Sequence, residues 1–321
     1  MRISSSLAAL VCLLVWPAVA WSQEYPVKPV RIVVPFPPGG GSDTIARVLA
    51  QRLSGALGQP AVADNRAGAS GNIAAELVAK SAPDGYTLLF GNSSLSISPA
   101  VFQTLAYDPV RDLIPISMVS SYPFVFAVHP SLPVRSVREL VALARTKPDA
   151  LDYSSAGAGT MSHLAMELMR LKTGIKVTHL PYKGAAPAAV GLISGEAQCA
   201  FLVMPVAAPQ INAGRLRGLG VAAKTRSAVI PQVPTMQEAG VEGHEALQWN
   251  GLFAPARTPQ PILDRLHREV VKALAESEVR QRFAAEGATA VGSTPSEFAS
   301  FFRAEAEKWA DVAKRSGTKL D

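Results

Sequence analysis

The chain has 321 residues, 31 of them Lys or Arg and 25 Asp or Glu, for a formal net charge of +6. The basic residues are scattered, which could help attract an anionic solute but offers no clustered face to a nucleic acid. Its five histidines, at 129, 163, 179, 244 and 267, never fall at metal-ligand spacing, so neither a metal nor another cofactor is expected.

Residues 1–20 read as an export signal. Arg2 supplies the positive start, 7–15 the apolar core and Ala18-Val19-Ala20 the small-residue cleavage site. That run is too short to span a bilayer comfortably, and no later run is long enough. Ala9-Leu10-Val11-Cys12 lacks the small residue that precedes a lipidated cysteine. Export and release as a soluble protein is therefore expected. Processing would remove Arg2, lowering the charge by one to +5, and Cys12, leaving Cys199 alone. Cys199 sits in an apolar run and reads as a small buried hydrophobe without a disulfide partner. The roughly 300 remaining residues exceed the usual single domain, so two lobes are expected.

The first folded stretch, Val30-Arg31-Ile32-Val33-Val34, is a β-branched run that reads as a buried strand ended by Pro35. Gly39-Gly40-Gly41 follows, then Ser42, Asp43 and Thr44, which can cap a helix. Ile45, Val48, Leu49, Leu53 and Leu57 form that helix's apolar stripe. A strand, a turn without side chains and a helix N-terminus make a corner whose free N–H groups suit an anion. The same pattern also fits an ordinary strand-to-helix turn that needs glycine for its backbone angles. Residues 60–64 read as a short strand, 65–72 as a loop, 73–80 as a helix and Pro83-Asp84-Gly85 as a turn. Strand 86–90 ends in Gly91-Asn92-Ser93-Ser94, which would lie beside the first corner in a parallel sheet.

Residues 114–119 and 123–128 read as strands, the second leading out of the first lobe. Ser136-Val137-Arg138-Glu139 is a capping box that opens a helix over 137–146. Strand 151–155, Gly157-Ala158-Gly159-Thr160 and a helix over 161–172 repeat the design of the first corner. Two such corners, one per lobe, are more specific than either alone. Strand 177–180 leads to Pro181-Tyr182-Lys183-Gly184 and a small-residue helix over 185–194, with Lys183 read as solvated. Strand 198–204 is ended by Pro205, and strand 216–222 returns toward the first lobe. Thr235-Met236-Gln237-Glu238 is a second capping box, and 247–254 a strand. Two long helices close the chain, opened by Thr258-Pro259 and by Thr294-Pro295-Ser296-Glu297. Phe298, Phe301, Phe302, Trp309 and Val312 form a stripe on the last helix that reads as packing surface.

Catalytic motifs fail one by one. Gly157-Ala158-Gly159-Thr160-Met161-Ser162 lacks the last glycine of a dinucleotide loop, and Gly39-Gly40-Gly41 lacks the lysine of a P-loop. There is no G-x-S-x-G elbow and no H-E-x-x-H. Ser155 with His163 is the one pairing that could serve an exported hydrolase, but no acid is placed to orient the histidine. Binding without turnover is expected.

Pro35-Phe36-Pro37-Pro38-Gly39-Gly40-Gly41-Ser42-Asp43, Pro83-Asp84-Gly85-Tyr86-Thr87-Leu88-Leu89, Pro181-Tyr182-Lys183-Gly184 and Val291-Gly292-Ser293-Thr294-Pro295-Ser296-Glu297-Phe298 together resemble the Bug (Bordetella uptake gene) or TctC-type family. The resemblance runs from about Tyr25 to the last residue. It implies an α/β, two-lobed periplasmic binding protein fold of type II, each lobe a mixed sheet flanked by helices, with two crossovers. Lobe I would take 21–125 and 226–321, and lobe II 126–225. The implied protein is a monomeric periplasmic receptor holding a small carboxylate in its interlobe cleft. It would deliver that ligand to the permease subunits of a tripartite tricarboxylate transporter, the alternative being a membrane signalling partner.

Carried over by position, Phe36, Gly39, Gly40 and Asp43 form the first corner, with Asn92 and Ser93 as its neighbour. Ser155, Gly157, Gly159 and Thr160 form the second. The family holds the carboxylate largely through backbone amides and bridging waters, which agrees with loops rich in Gly and Ser and poor in Arg. Two departures stand out. Ala158 stands where the family often has Asn, and Phe201-Leu202-Val203-Met204-Pro205-Val206 where it commonly reads Phe-Asp-Asn-Leu-Pro-Ser. With Met204 at the ligand, Leu202, Val203 and Val206 would favour an apolar body, such as an aromatic carboxylate or a medium-chain dicarboxylate. The alternative is a strand end buried away from the cleft.

Overall fold

The computed structural model describes residues 25–39, 41–285 and 287–320; the expected export signal lies outside them. The chain begins with β1 (Val30–Val34), α1 (Gly41–Leu57), β2 (Ala61–Asn65), α2 (Asn72–Ala79), β3 (Thr87–Asn92) and α3 (Ser94–Val101). A long strand, β4 (Leu113–Val128), then leads to α4 (Val137–Thr146), β5 (Asp152–Ser155), α5 (Met161–Thr173), β6 (Thr178–Pro181), α6 (Ala185–Ile193), β7 (Cys199–Val203), α7 (Met204–Asn212) and β8 (Arg217–Val221). The chain closes with β9 (Leu247–Pro255), α8 (Gln260–Ala275), α9 (Ser277–Ala285), β10 (Thr289–Ala290) and α10 (Pro295–Ser316).

The strands pair in the order β2-β1-β3-β9-β4-β7-β5-β6, with β8 and β10 also on β4. The two halves of this mixed sheet share one strand. Residues 113–123 of β4 pair antiparallel with β9, and residues 124–128 pair antiparallel with β7. The chain crosses between halves along β4 and returns between β8 and β9, giving the two crossovers of a two-lobed binding protein. Strands expected at 114–119 and 123–128 are thus one strand. Ser120 and Ser121 do not turn, because they pair with Asn250 and Trp249 on one side and with β10 on the other.

Burial follows from strand alternation. In β1, Ile32 packs into one core with Ile45, Leu49 and Leu88, while Val33 faces the opposite core with Leu89, Trp249 and Phe298. Helices cover both faces, which is why β1 reads as a continuous apolar run. A further core lies under β5 and β7, around Phe126, Tyr153, Met166 and Phe201. The stripe of α10 serves two of these cores: Phe298 and Phe302 enter one, and Trp309, Val312 and Ala313 the core under β5. Met236, Val241 and Ala246 join that same core, beyond the boundary expected at 225. The capping box at Thr294 forms with both of its reciprocal bonds. The one at Thr235 forms too, with Glu238 N–H donating to Thr235 Oγ1 at 3.1 Å and Thr235 N–H to Glu238 Oε2 at 2.7 Å, but it closes a turn instead of opening a helix.

Candidate ligand-binding site

β1 and β3 run parallel, with Arg31 opposite Thr87 and Val33 opposite Leu89, so their C-terminal ends open on one edge. The loop after β1 is the first corner; Gly40, expected within it, lies outside the described residues. Gly39 takes φ +84, a conformation that favours glycine, and its N–H donates to Asp43 Oδ2 at 2.9 Å. Arg47 Nε donates to the same oxygen at 2.9 Å. Asn65 Nδ2 donates to Asp43 Oδ1 at 2.8 Å and to Phe36 O at 2.9 Å. Burial opposes ionisation of Asp43, but hydrogen bonds from Arg47, Gly39 and Asn65 outweigh it and hold the carboxyl below its ordinary range. Asp43 is 2 % exposed, so it shapes this corner from within and is its resident anion.

The second corner follows β5, which runs parallel to β6 and β7. Its expected residues also bond chiefly to one another. Ser155 Oγ lies 2.6 Å from His179 Nε2 and accepts from Gly157 N–H at 3.1 Å. Thr160 Oγ1 donates to Gly157 O at 2.7 Å. Ala156 N–H donates to Ser162 Oγ at 2.9 Å, and Gly159 N–H to His163 Nδ1 at 3.0 Å. Gly157 and Gly159 take φ +133 and +72. A Cβ on Gly159 would sit 2.5 Å from Leu320 Cδ1 and 3.2 Å from Val101 Cγ2, so the end of α3 and the C-terminal tail rest on this loop.

Between the corners lies a polar row that the sequence reading passed over. Asn250 sits opposite Ser120 on one side and Asn92 on the other. Ser42 Oγ donates to Asn250 Oδ1 at 2.8 Å, and Asn250 Nδ2 to Ser120 Oγ at 2.9 Å, tying the first turn of α1 to the strand shared by both halves. Ser93 Oγ donates to Gln248 Oε1 at 2.8 Å, and Asn92 Oδ1 accepts from Ser94 N–H at 3.1 Å. Tyr122 OH approaches to 3.6 Å of where a Cβ on Gly41 would stand. The available signal was Gln248 and Asn250, two amides inside an otherwise apolar strand, where burial demands a hydrogen-bond partner.

The chemistry of these groups is that of binding. Ser155 pairs with His179, not with His163 as the hydrolase alternative required; β6 places His179 beside β5, while His163 turns back onto its own helix's N-terminus. Ser155 is fully buried, its oxygen is engaged by Gly157, and among the described residues no carboxylate bonds the other nitrogen of His179. Among the described residues no group of three His, Cys, Asp or Glu could hold a metal, and no helix is long and apolar enough to cross a membrane.

Residues 45–318 match the family model for the tripartite tricarboxylate transporter family receptor, TctC. The chain belongs to the TctC family. It is 40 % identical over 301 residues to protein BugT of Bordetella pertussis, covering 93 % of this chain and 92 % of that one. An R. palustris protein, Rpa4515, solved with adipate, superposes with a TM-score of 0.84 at 37 % identity, over 92 % of this chain and 99 % of that one. MatC of Rhodopseudomonas palustris, solved with malate, gives 0.82 at 34 % identity, over 90 % and 99 %. The family and these neighbours are solute-binding receptors, not enzymes.

In this TctC receptor the segment expected to give the ligand an apolar lining lies mostly inside. Met204 is fully buried, because α7 begins there and turns the side chain into the core; it packs under Gly287, with Met204 Cγ 3.1 Å from a Cβ placed on that glycine. Leu202 is likewise buried. Only Val203 and Val206 of that group are half-buried. Met204, expected at the ligand, is placed in the core here, the alternative the sequence had left open.

Proposed function

We propose that this receptor binds a small dicarboxylate between its two corners and delivers it to the permease subunits of a tripartite tricarboxylate-type transporter. The observation that carries this reading is an asymmetry between the corners. The first contains its own buried anion, Asp43, already bonded by Gly39, Arg47 and Asn65. The second has no acidic residue from Ser155 to His163. Among the described residues, the N–H groups of Ala158 and of Met161, Ser162 and His163 at the start of α5 take no part in its internal bonds, while Leu164 N–H already donates to Thr160 O. A carboxylate is therefore best received at the second corner, where the positive end of α5 is not already neutralised. Phe36, the backbone of Gly39, Gly40 and Gly41, and the neighbours Ser42, Asn92 and Ser93 would close on the ligand from the first half. Neighbours solved with adipate and malate support an acyclic dicarboxylate, and the burial of Leu202 and Met204 leaves little reason to require an aromatic body.

A thermal-shift screen over adipate, malate, citrate, aspartate and benzoate tests this. At about a hundred times its dissociation constant, a dicarboxylate should stabilise the fold by about 2.7 kcal/mol. A response to none of these acids would overturn the reading.

A further inference from the structure

The geometry points to His163 as a positioning residue for the ligand: its Nδ1 fixes the Gly159 amide and so aims the neighbouring free amides of the second corner. The inference rests on the site proposed above and extends it to a side chain that need not touch the ligand. Gly159 N–H donates to His163 Nδ1 at 3.0 Å, so that nitrogen carries no proton and the ring's hydrogen sits on Nε2. Nε2 is 3.8 Å from Glu167 Oε1. Glu167 is held in turn by Tyr153 OH at 3.1 Å and by Arg170 Nη1 at 2.8 Å. The His163 ring stacks on His179 with centroids 4.2 Å apart, and His179 stacks on Tyr153 at 4.7 Å. His179 also contacts Ser155, whose oxygen accepts from Gly157 N–H. Two packed imidazoles therefore anchor the two glycine amides of one loop, His163 directly and His179 through Ser155.

Such anchoring matters because the loop has little conformational preference of its own. Gly157 and Gly159 both lie at positive φ, where glycine is freest. The atoms nearest a Cβ placed on Gly159 belong to Leu320 and Val101, apolar side chains that press on the loop but offer no acceptor. The titratable and charged groups around His163 are Glu167 and Arg170 on its own helix, Tyr153 on β5 and His179 on β6. Val101, Trp309, Val312 and Leu320 bring apolar surface from α3, α10 and the tail; the titratable groups behind them are Glu305 of α10, which accepts from Trp309 Nε1 at 2.8 Å, and His244, whose Nε2 meets Ala165 O of α5 at 2.9 Å. Burial, with a smaller contribution from Arg170, lowers the His163 pKa to about 4. A proton added to Nδ1 removes the acceptor, so acid should release the loop and the ligand together.

Two variants separate the acceptor from the ring. His163→Phe keeps the stack and removes the acceptor; His163→Asn keeps an acceptor near the Nδ1 position and cannot titrate. Circular dichroism checks folding, and His163→Leu replaces the Phe variant should that ring not fit. The readouts are amide exchange over residues 155–163 and adipate affinity from pH 7.5 to 4.5. The Phe variant should exchange at least tenfold faster in that segment and bind adipate at least tenfold more weakly. The Asn variant should match the wild type at pH 7.5 and lose affinity less steeply only at the acid end of that range, as the pH approaches 4.5. Unchanged exchange in the Phe variant overturns the anchoring, and fast exchange with wild-type affinity overturns its role in binding. A wild-type protein that ignores adipate, malate and citrate alike overturns the ligand reading itself, and with it the positioning role.

Discussion

Replacing Asp43 with alanine should destabilise the fold by about 3 kcal/mol and abolish carboxylate binding. The carboxylate is buried and accepts from Gly39 N–H, Arg47 Nε and Asn65 Nδ2, so its loss leaves a backbone donor and an amide facing an apolar gap. Hydrogen bonds to a charged acceptor are each worth about 1.5–3 kcal/mol. The Arg47 contribution is at the low end, because its side chain is 52 % exposed and screened by water. Asp43→Asn separates a structural role from ligand contact. An amide still accepts from Gly39 but turns its NH₂ toward Arg47 or Asn65, so stability should fall by about half as much. Urea denaturation gives both values. An Asp43→Ala protein within 0.5 kcal/mol of wild type would show that this corner is organised by something else.

Stability should fall steeply between about pH 6.5 and pH 4 because three histidines are held neutral in the folded state. Burial pushes His163, His179 and His244 each down to about 4. All three are ringed: His163 and His179 stack on each other, and His244 stacks on Phe201 while its Nε2 meets Ala165 O at 2.9 Å. A folded-state pKa below the unfolded value means that the unfolded chain binds more protons throughout this window. The stabilisation is therefore complete above about 6.5 and is lost as pH falls through about 4. Each histidine contributes a slope of up to about 1.4 kcal/mol per pH unit. Urea midpoints at pH 7, 5.5 and 4.5 should drop progressively, and His163→Asn should flatten the drop by about one proton. A midpoint that does not move from pH 7 to 4.5 contradicts the neutral-histidine assignment.

Much of the frame was legible in the sequence because it rests on local chemistry. The β-branched run ended by Pro35 is β1, a helix follows the glycine turn but opens already at its last glycine, Gly41, and the Thr294 box opens α10. Three helices escaped for definite reasons. α3 carries Ser94, Ser96, Ser98 and Pro99, a poor helix composition, yet two of its hydroxyls are satisfied by bonding back to carbonyls one turn earlier. α7 has the first of its two prolines, Pro205, in the first turn, where a missing N–H costs little, so a helix starts where a strand terminator was expected, and it runs on through Pro209. α9 follows α8 after a single residue, Glu276, without a glycine or proline to mark the break.

At the two corners, the sequence shows where the loops fall but not which groups their side chains bond. Asp43, Ser155 and Thr160 sit in the two corners, but their polar atoms face inward to shape the backbone. That distinction is invisible to spacing, because a side chain that caps a loop and one that binds a ligand have the same chemistry. The partners of Ser42 and Ser93, Asn250 and Gln248, lie more than 150 residues away, 208 and 155 positions respectively. No local pattern could join them.

The central claim is that one ligand is held between both corners by backbone amides. Amide hydrogen exchange, measured with and without a saturating amount of the carboxylate that gives the largest thermal shift, tests it most directly. Residues 36–43 and 156–163 should both exchange more slowly when the ligand is present, with smaller changes on the far faces of the helices. Slowing in neither segment, or in only one of them, would contradict a ligand shared between the two halves.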